Sequence, residues 1–460
     1  MSGAIAPHSC GPPTFFNAIG GLLLVRQRGG AALSTWPGMK ILHLSKMDAG
    51  GGAADGFVRI HRALLGQGHA SVAYVIKQQR QDVPAMVDAR RLLGPWQKLV
   101  WGLGRVWAKL RRLHLRPVGV YDFNAEANFP AEPIIRAARA RAEKWDLVVV
   151  HWAGAFVTAD TIRRIAEALG ARVVLWQVDM AHVTGGCHSN LGCLKYQTGC
   201  GACPLIGSKD VDDVSSRQAA NRRKTWKELG AVLLAPTEWS ARQARESAIT
   251  GGLPSKVFPI PLDLDVLRPV EDPRGARAAL GLPADARVLL VRGIDPALTY
   301  KGFGLLLEAL RLLDAQGIAL HVAVLGETGL MGAGWKHVTY TELGVRRGDA
   351  AIAVAYQSAD FFVNPSTNDN GPMMVGEALV CGVPVVAYPV GLPSVPWAEG
   401  MVGRVVEPVG DIPALAATIR AFAEMPAAEL AAKKRAAAAA ARPLYAAAHF
   451  SEQLTSAQSL

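Results

Sequence analysis

No stretch constrains this chain more than Asn364–Ser394, NPSTNDNGPMMVGEALVCGVPVVAYPVGLPS. Just upstream, Ala359–Val363 (ADFFV) is short, apolar and aromatic, as a buried strand is. Pro365 stops that strand, and Ser366–Gly371 is turn chemistry throughout. Met373–Cys381 has helical spacing, is closed by Gly382 and is followed by the strand Val383–Tyr388. Strand, polar loop, helix and strand in that order make one unit of a doubly wound α/β sheet. Ligands of such sheets sit outside the carboxyl ends of the strands. The first turn of the helix offers unpaired N–H groups and a positive dipole end, which suits a diphosphate. Glu377 follows that turn, where a carboxylate can accept two ribose hydroxyls, and Asp369 lies on the loop, where a sugar would be met. Asn370, Gly371, Pro372 and Met373 complete the candidate ligand contacts.

A chain of 460 residues, half of them hydrophobic, can bury two cores, so two domains are expected. The net charge of +11 points to anionic partners: a membrane surface, a charged substrate or nucleic acid. No nucleic-acid-binding motif accompanies the charge, and nucleic acid ranks last. The longest apolar runs, such as Ile19–Val25 and Ala231–Pro236, are too short to span a bilayer. Six cysteines, four of them crowded into Cys187–Cys203, argue against a secreted disulfide scaffold. The expectation is a cytoplasmic protein, soluble or peripheral on the inner face of the plasma membrane.

Residues 1–38 are rich in Gly, Pro and Ser and lack periodicity; they read as an extension outside the fold, either a disordered arm or a misassigned start ahead of Met39. Lys40–Ser45 is a strand. The loop after it carries Gly50, Gly51 and Gly52, which either let a ligand approach backbone N–H groups or make a tight turn. Trp96–Arg116 is a helix with one apolar stripe, Trp96, Leu99, Val100, Leu103, Val106, Trp107, Leu110 and Leu113. Lys98, Arg105, Lys109, Arg112 and Arg116 line another face. A basic amphipathic helix with Trp suits an anionic membrane surface. The alternative docks the stripe on the domain core. Trp145–His151 is a strand that leaves His151 at a carboxyl end, where sites in such sheets occur.

Cys187, Cys193, Cys200 and Cys203 have C-x5-C-x6-C-x2-C spacing, and the final pair is a usual half of a zinc knuckle. A structural zinc is the expectation; one or two disulfides, or reduced packing cysteines, are the alternatives.

The stretch around Pro365 resembles the donor-site signature of retaining glycosyltransferases of family 4, P-S-x-x-E…E-A-x-x-C/S-G-x-P-V-V-A. It matches at Pro365, Ser366, Glu377, Ala378, Cys381, Gly382, Pro384, Val385, Val386 and Ala387. It departs at the first acid, here Asp369, and Asp369–Pro372 resembles the E-N-x-P version of exopolysaccharide and colanic-acid type transferases. Asp146–Trp152 is similar to the family's D-I-I-H-x-H-W segment, and Thr184–Pro204 to a Cys-rich insert of this subgroup. Where the family carries Arg-Lys-Gly, this chain has Tyr300, Lys301 and Gly302. The resemblance covers roughly residues 39–450.

It implies a GT-B fold, α/β with two facing Rossmann-like doubly wound domains. An acceptor-side domain would span 39–257 with the insert at 184–204, a nucleotide-sugar-binding domain 258–430, and a C-terminal helix and tail 431–460. The implied reaction is transfer of a sugar, with retention, from a nucleotide sugar to a saccharide or lipid-linked saccharide in bacterial polysaccharide biosynthesis. Lys301 would neutralise the departing diphosphate, with Arg292 supplying the charge that Tyr300 does not. Asp369 would fix the sugar, His151 would face it from the other domain, Glu377 would hold the ribose, and Gly50–Gly52 would lie at the cleft. No catalytic metal or other cofactor is required in that scheme. Two rivals stand beside it: a nucleotide-sugar epimerase or hydrolase on the same fold, and a degenerate partner subunit, which Tyr300 and Asp369 favour.

Overall fold

A computed structural model describes residues 38–110, 115, 121, 129–294, 297–397 and 400–450. The extension 1–37, the tail 451–460 and the basic residues Arg112 and Arg116 lie outside the described residues, as does Leu113.

Two all-parallel sheets organise the chain. The first holds β1 (Lys40–Met47), β2 (Ala70–Lys77), β3 (Met86–Asp88), β4 (Leu147–Val150), β5 (Arg172–Trp176), β6 (Val232–Ala235) and β7 (Ser255–Val257), in the order β3-β2-β1-β4-β5-β6-β7. The second holds β8 (Val288–Gly293), β9 (Leu320–Gly326), β10 (Val338–Gly344), β11 (Phe361–Asn364), β12 (Val385–Ala387) and β13 (Gly403–Val405), in the order β10-β9-β8-β11-β12-β13. Strands such as β4 (LVVV) and β6 (VLLA) are buried at every position, because helices cover both faces of a parallel sheet. Both sheets reverse strand order between their first and fourth strands, and each reversal opens a crevice at the carboxyl edge.

The first sheet is flanked by α1 (Gly52–Gly66), α2 (Pro95–Leu110), α3 (Ala131–Arg139), α4 (Ala159–Leu169), α5 (Val214–Glu228) and α6 (Glu238–Glu246). The second carries α7 (Arg274–Leu280), α8 (Phe303–Ala315), α9 (Asp349–Ser358), α10 (Met373–Val380), α11 (Ile412–Ala423) and α12 (Ala427–Tyr445). Ala437, Ala441 and Tyr445 of α12 pack with Val375 of α10 in the second core. Phe450 then enters the first core, with ring centroids 5.6 Å from Trp176 and 5.0 Å from Phe258. The end of the chain thus ties the second domain back to the first.

The amphipathic helix resolves against one of its two expectations. α2 docks through Trp101 and Ala108, with the Trp101 ring 5.5 Å from Phe129. The predicted stripe faces outward, Trp96 being 73% and Trp107 63% exposed. Docking that stripe on the core is therefore not what happens. The opposite face carries the buried Ala108 and the half-buried Trp101. Among the described residues, no helix is long and apolar enough to cross a membrane.

Candidate active site

β11 ends at Asn364, and the loop that follows lies over the crevice before α10 begins. Two things hold that loop in place. The first is a close backbone approach: Gly302 has φ 72°, and a Cβ there would stand 1.9 Å from the Pro365 carbonyl oxygen. Only glycine lets the turn between Lys301 and α8 lie so near the Pro-Ser loop. The second is the Tyr300 carbonyl, which accepts hydrogen bonds from the amides of Thr367 (2.8 Å) and Asn368 (3.3 Å). Lys301 is thereby presented to Asp369, and the two form an ion pair of 2.7 Å. Burial alone pulls the Lys301 ammonium down, but Asp369 outweighs that and its pKa lies above the ordinary value. Arg292, at the end of β8, is exposed but near enough to repel Lys301, so the two expected cations share one corner.

Glu377 is buried on α10, and both of its oxygens are engaged by protein. Oε1 pairs with Arg59 Nη1 at 2.7 Å, and Oε2 accepts from the Tyr356 hydroxyl at 2.8 Å. Arg59 rides on α1 in the first domain and also binds Asp349 Oδ1 at 2.7 Å. Burial works against the Arg59 charge, and the two carboxylates more than restore it. Burial, then Glu377, raises the Tyr356 pKa, so Tyr356 keeps its proton and donates it to Glu377. Sequence reasoning missed Arg59 and Asp349, which lie 290 positions apart in the chain, and gave Tyr356 no contact with Glu377.

The donor loop also leans on the first domain. The Thr237 hydroxyl donates to the Asn370 carbonyl at 3.0 Å, and Gly371 packs so close to Pro236 that a Cβ would lie 3.0 Å from its ring. Asn368 exchanges hydrogen bonds with the cysteine-rich insert: it donates to Asn190 at 2.8 Å and accepts from Ser189 at 3.0 Å. Met373 reaches α1, its Cε 3.8 Å from where a Cβ on Gly52 would stand. Gly50 and Gly51 take left-handed φ of 97° and 155° and are exposed, which opens the turn before α1 to the cleft.

His151 follows β4 and is fully buried, ringed by Phe57, Trp176 and His43. Along the two carboxyl edges several buried polar atoms have no protein partner among the described residues. They are His151 Nδ1, His182 Nε2 and the Gln177 amide in the first domain, and Asn364 Nδ2 and Asn370 Oδ1 in the second. Such atoms are costly to bury unmatched, about 1–3 kcal/mol each, and their clustering at both facing edges fits a hydroxyl-rich ligand.

The four cysteines of the insert are free and line one small cavity with Tyr121 and Lys195. The Gly185 amide donates to Cys200 Sγ at 3.3 Å, and backbone groups of Leu205 and Ile206 bond the Cys203 sulfur. Burial pushes the Cys187 thiol up to about 12 and the Cys200 thiol up to about 11. The sulfurs share a cavity without closing into a cage. Among the described residues, no group of three or more His, Cys, Asp or Glu side chains is arranged to hold a metal ion.

A family model described as glycosyl transferases group 1 matches residues 286–424, which carry β8 to β13 and the Lys301–Asp369 pair. Those residues are a group 1 glycosyltransferase domain. Among curated relatives, a D-inositol 3-phosphate glycosyltransferase of Catenulispora acidiphila is 33% identical over 220 residues, 44% of this chain and 47% of that protein. One from Mycobacterium bovis is 32% identical over 185 residues, 38% of this chain and 37% of that protein. The chain thus spans about half, or less, of the curated relatives it matches. Solved structures share the fold: a Rickettsia africae glycosyltransferase has a TM-score of 0.60 at 14% identity, covering 92% of this chain and 98% of that one. Anabaena HepE in complex with UDP-glucose has a TM-score of 0.56 at 18% identity, covering 92% and 99%. The fold is GT-B.

Because Gly302 sets the Lys301 turn, Gly302→Ala should destabilise the protein by about 1–3 kcal/mol in urea titration. Gly304→Ala, in open space on α8, is the control and should be neutral or slightly stabilising.

Proposed function

We propose that this protein is a retaining glycosyltransferase that moves a sugar from a nucleotide sugar to a saccharide or lipid-linked saccharide acceptor, in bacterial polysaccharide biosynthesis. The observation that carries the reading is the Lys301–Asp369 pair at the reversal point of the second sheet, facing the first domain across the donor loop. As the sugar–phosphate bond breaks, negative charge grows on the diphosphate. Lys301 and the amide groups opening α10 answer it there, in a water-poor cleft where such charges count most. Asp369, released from Lys301 as the diphosphate takes over that cation, is free to accept from sugar hydroxyls. Glu377 takes the ribose once Arg59 withdraws. Arg59 belongs to the first domain, so a relative opening of the domains would uncover Glu377 and closure would reseal it. Likeness of the domain to group 1 glycosyltransferases, and of the fold to a protein solved with UDP-glucose, supports a nucleotide-sugar donor.

The test is turnover with a panel of nucleotide sugars. Lys301→Ala should lower kcat on the order of 100-fold with little change in KM, since its charge acts mainly in the transition state. A loss confined to KM would overturn the transition-state role. Nucleotide binding without any transfer or donor hydrolysis would favour the partner-subunit rival.

The acceptor side carries a second part of the proposal. The outward face of α2 combines two tryptophans with the exposed cations Lys98, Arg105 and Lys109, and Pro95–Leu110 contains no acid. We infer that it lies on anionic lipid at the inner face of the plasma membrane, where each cation gains roughly 1 kcal/mol and the apolar side chains insert shallowly. Changing Lys98, Arg105 and Lys109 together to Glu should abolish sedimentation with anionic vesicles while the melting temperature stays nearly unchanged. Wild-type protein that ignores such vesicles at physiological salt would end the idea.

The cysteine loop carries a third. A structural zinc held by Cys187, Cys193, Cys200 and Cys203 is supported by four unpaired thiols on one cavity and by amide donors to two sulfurs. Binding requires the sulfurs to draw together and shed protons. Elemental analysis of protein purified without chelator should give about one zinc per chain. Four titratable thiols and no metal would leave them as packing cysteines.

A further inference from the structure

Beneath α1 runs a continuous line of hydrogen-bonded side chains that the proposed chemistry does not use. His61 Nε2 lies 2.8 Å from the Pro84 carbonyl oxygen, and His61 Nδ1 lies 2.7 Å from Ser71 Oγ. Ser71 Oγ lies 2.9 Å from His43 Nε2, and His43 Nδ1 lies 2.9 Å from His151 Nε2. All four residues are buried, and the line crosses from β2 through β1 to the carboxyl end of β4.

The order of protons along this line follows from its far end. A carbonyl oxygen only accepts, so His61 carries its proton on Nε2. Burial lowers the pKa of all three imidazoles, most strongly at His43 and His151, so each is neutral and has one N–H. His61 Nδ1 is then an acceptor, and the single Ser71 proton goes to it. Ser71 Oγ must in turn accept from His43 Nε2–H, which leaves His43 Nδ1 bare to accept from His151 Nε2–H. The remaining atom, His151 Nδ1, holds a lone pair and no proton, and it has no partner among the described residues.

We propose that His61, Ser71 and His43 are positioning residues that hold His151 in its Nε2–H tautomer, making Nδ1 an acceptor-only contact for a hydroxyl of the bound sugar. A phosphate or carboxylate oxygen, which cannot donate, is refused at this atom. The ligand half of the inference rests on the glycosyltransferase reading; the tautomer half does not.

Nitrogen-15 NMR of histidine-labelled full-length protein reads each ring directly. In the free protein, His61, His43 and His151 should each appear neutral with the proton on Nε2. Ser71→Ala cuts the line, so a fraction of His151 should move to the Nδ1–H form. A charged His151, a proton on Nδ1 in the wild type, or an unchanged His151 tautomer in Ser71→Ala would overturn the relay. With UDP-glucose as probe, the His151 Nδ1 resonance should shift towards a hydrogen-bonded value, and UDP alone should leave it in place. Binding of UDP-glucose with no such shift would overturn the sugar contact. A normal set of tautomers in a protein that binds no nucleotide sugar, judged by thermal shift, would instead sink the glycosyltransferase reading and leave the relay standing.

Discussion

Arg59 joins the two domains through buried ion pairs. Its guanidinium sits between the two domains with only a tenth of the side chain in water, bound to Glu377 and Asp349 at 2.7 Å each. A buried cation of this kind is tolerable only while its partners remain, and removing one partner of a buried pair costs about 3–5 kcal/mol. The geometry is therefore demanding in a useful way. α1 can meet α9 and α10 only where both carboxylates reach one guanidinium, and this fixes how the glycine turn before α1 faces the loop before α10. The same two carboxylates keep Arg59 charged despite its burial.

Around that pair the donor loop is held from three sides. The Tyr300 carbonyl gathers Thr367 and Asn368 from within its own domain, Thr237 holds Asn370 from the turn after β6, and Asn190 and Ser189 hold Asn368 from the cysteine-rich insert. The insert is thus more than a decoration on the first domain. Tyr300 also packs against the cluster that contains Cys187 and Cys203. The loop that carries Asp369 is the place where both domains and the insert meet.

Much of this was legible in the sequence, and the exceptions share a cause. The strand–loop–helix–strand unit reads correctly because its signals are local: Pro365 ends β11, Gly382 follows α10, and the helix begins at Met373 in both readings. Lys301 and Asp369 could be named separately, though not as a pair. Arg59 was invisible, since an arginine on an amphipathic helix has many ordinary uses until carboxylates about 290 positions or more away are brought beside it. His43 and His61 were missed for the same reason. The α2 stripe fails differently: periodicity reports that a helix has two faces, but the face that docks is the one carrying Trp101, which meets Phe129, and the buried Ala108.

The two departures from the resembled motif also look different once their partners are known. Tyr300 stands where an arginine is usual, yet its position is put to use: its carbonyl anchors the donor loop, and its ring lies 5.2 Å from the Lys301 ammonium. Asp369 is one methylene shorter than the glutamate it replaces, and it meets Lys301 at 2.7 Å while its other oxygen accepts from the Gly371 amide at 3.3 Å. A longer acid at this point would have to fold back to keep both contacts. The shorter carboxylate, the lysine and the glycine amide thus form one matched set. A pair of this kind, set at the first turn of α10, is the arrangement a transfer reaction needs, and it weighs for the enzyme reading more than any single motif residue does.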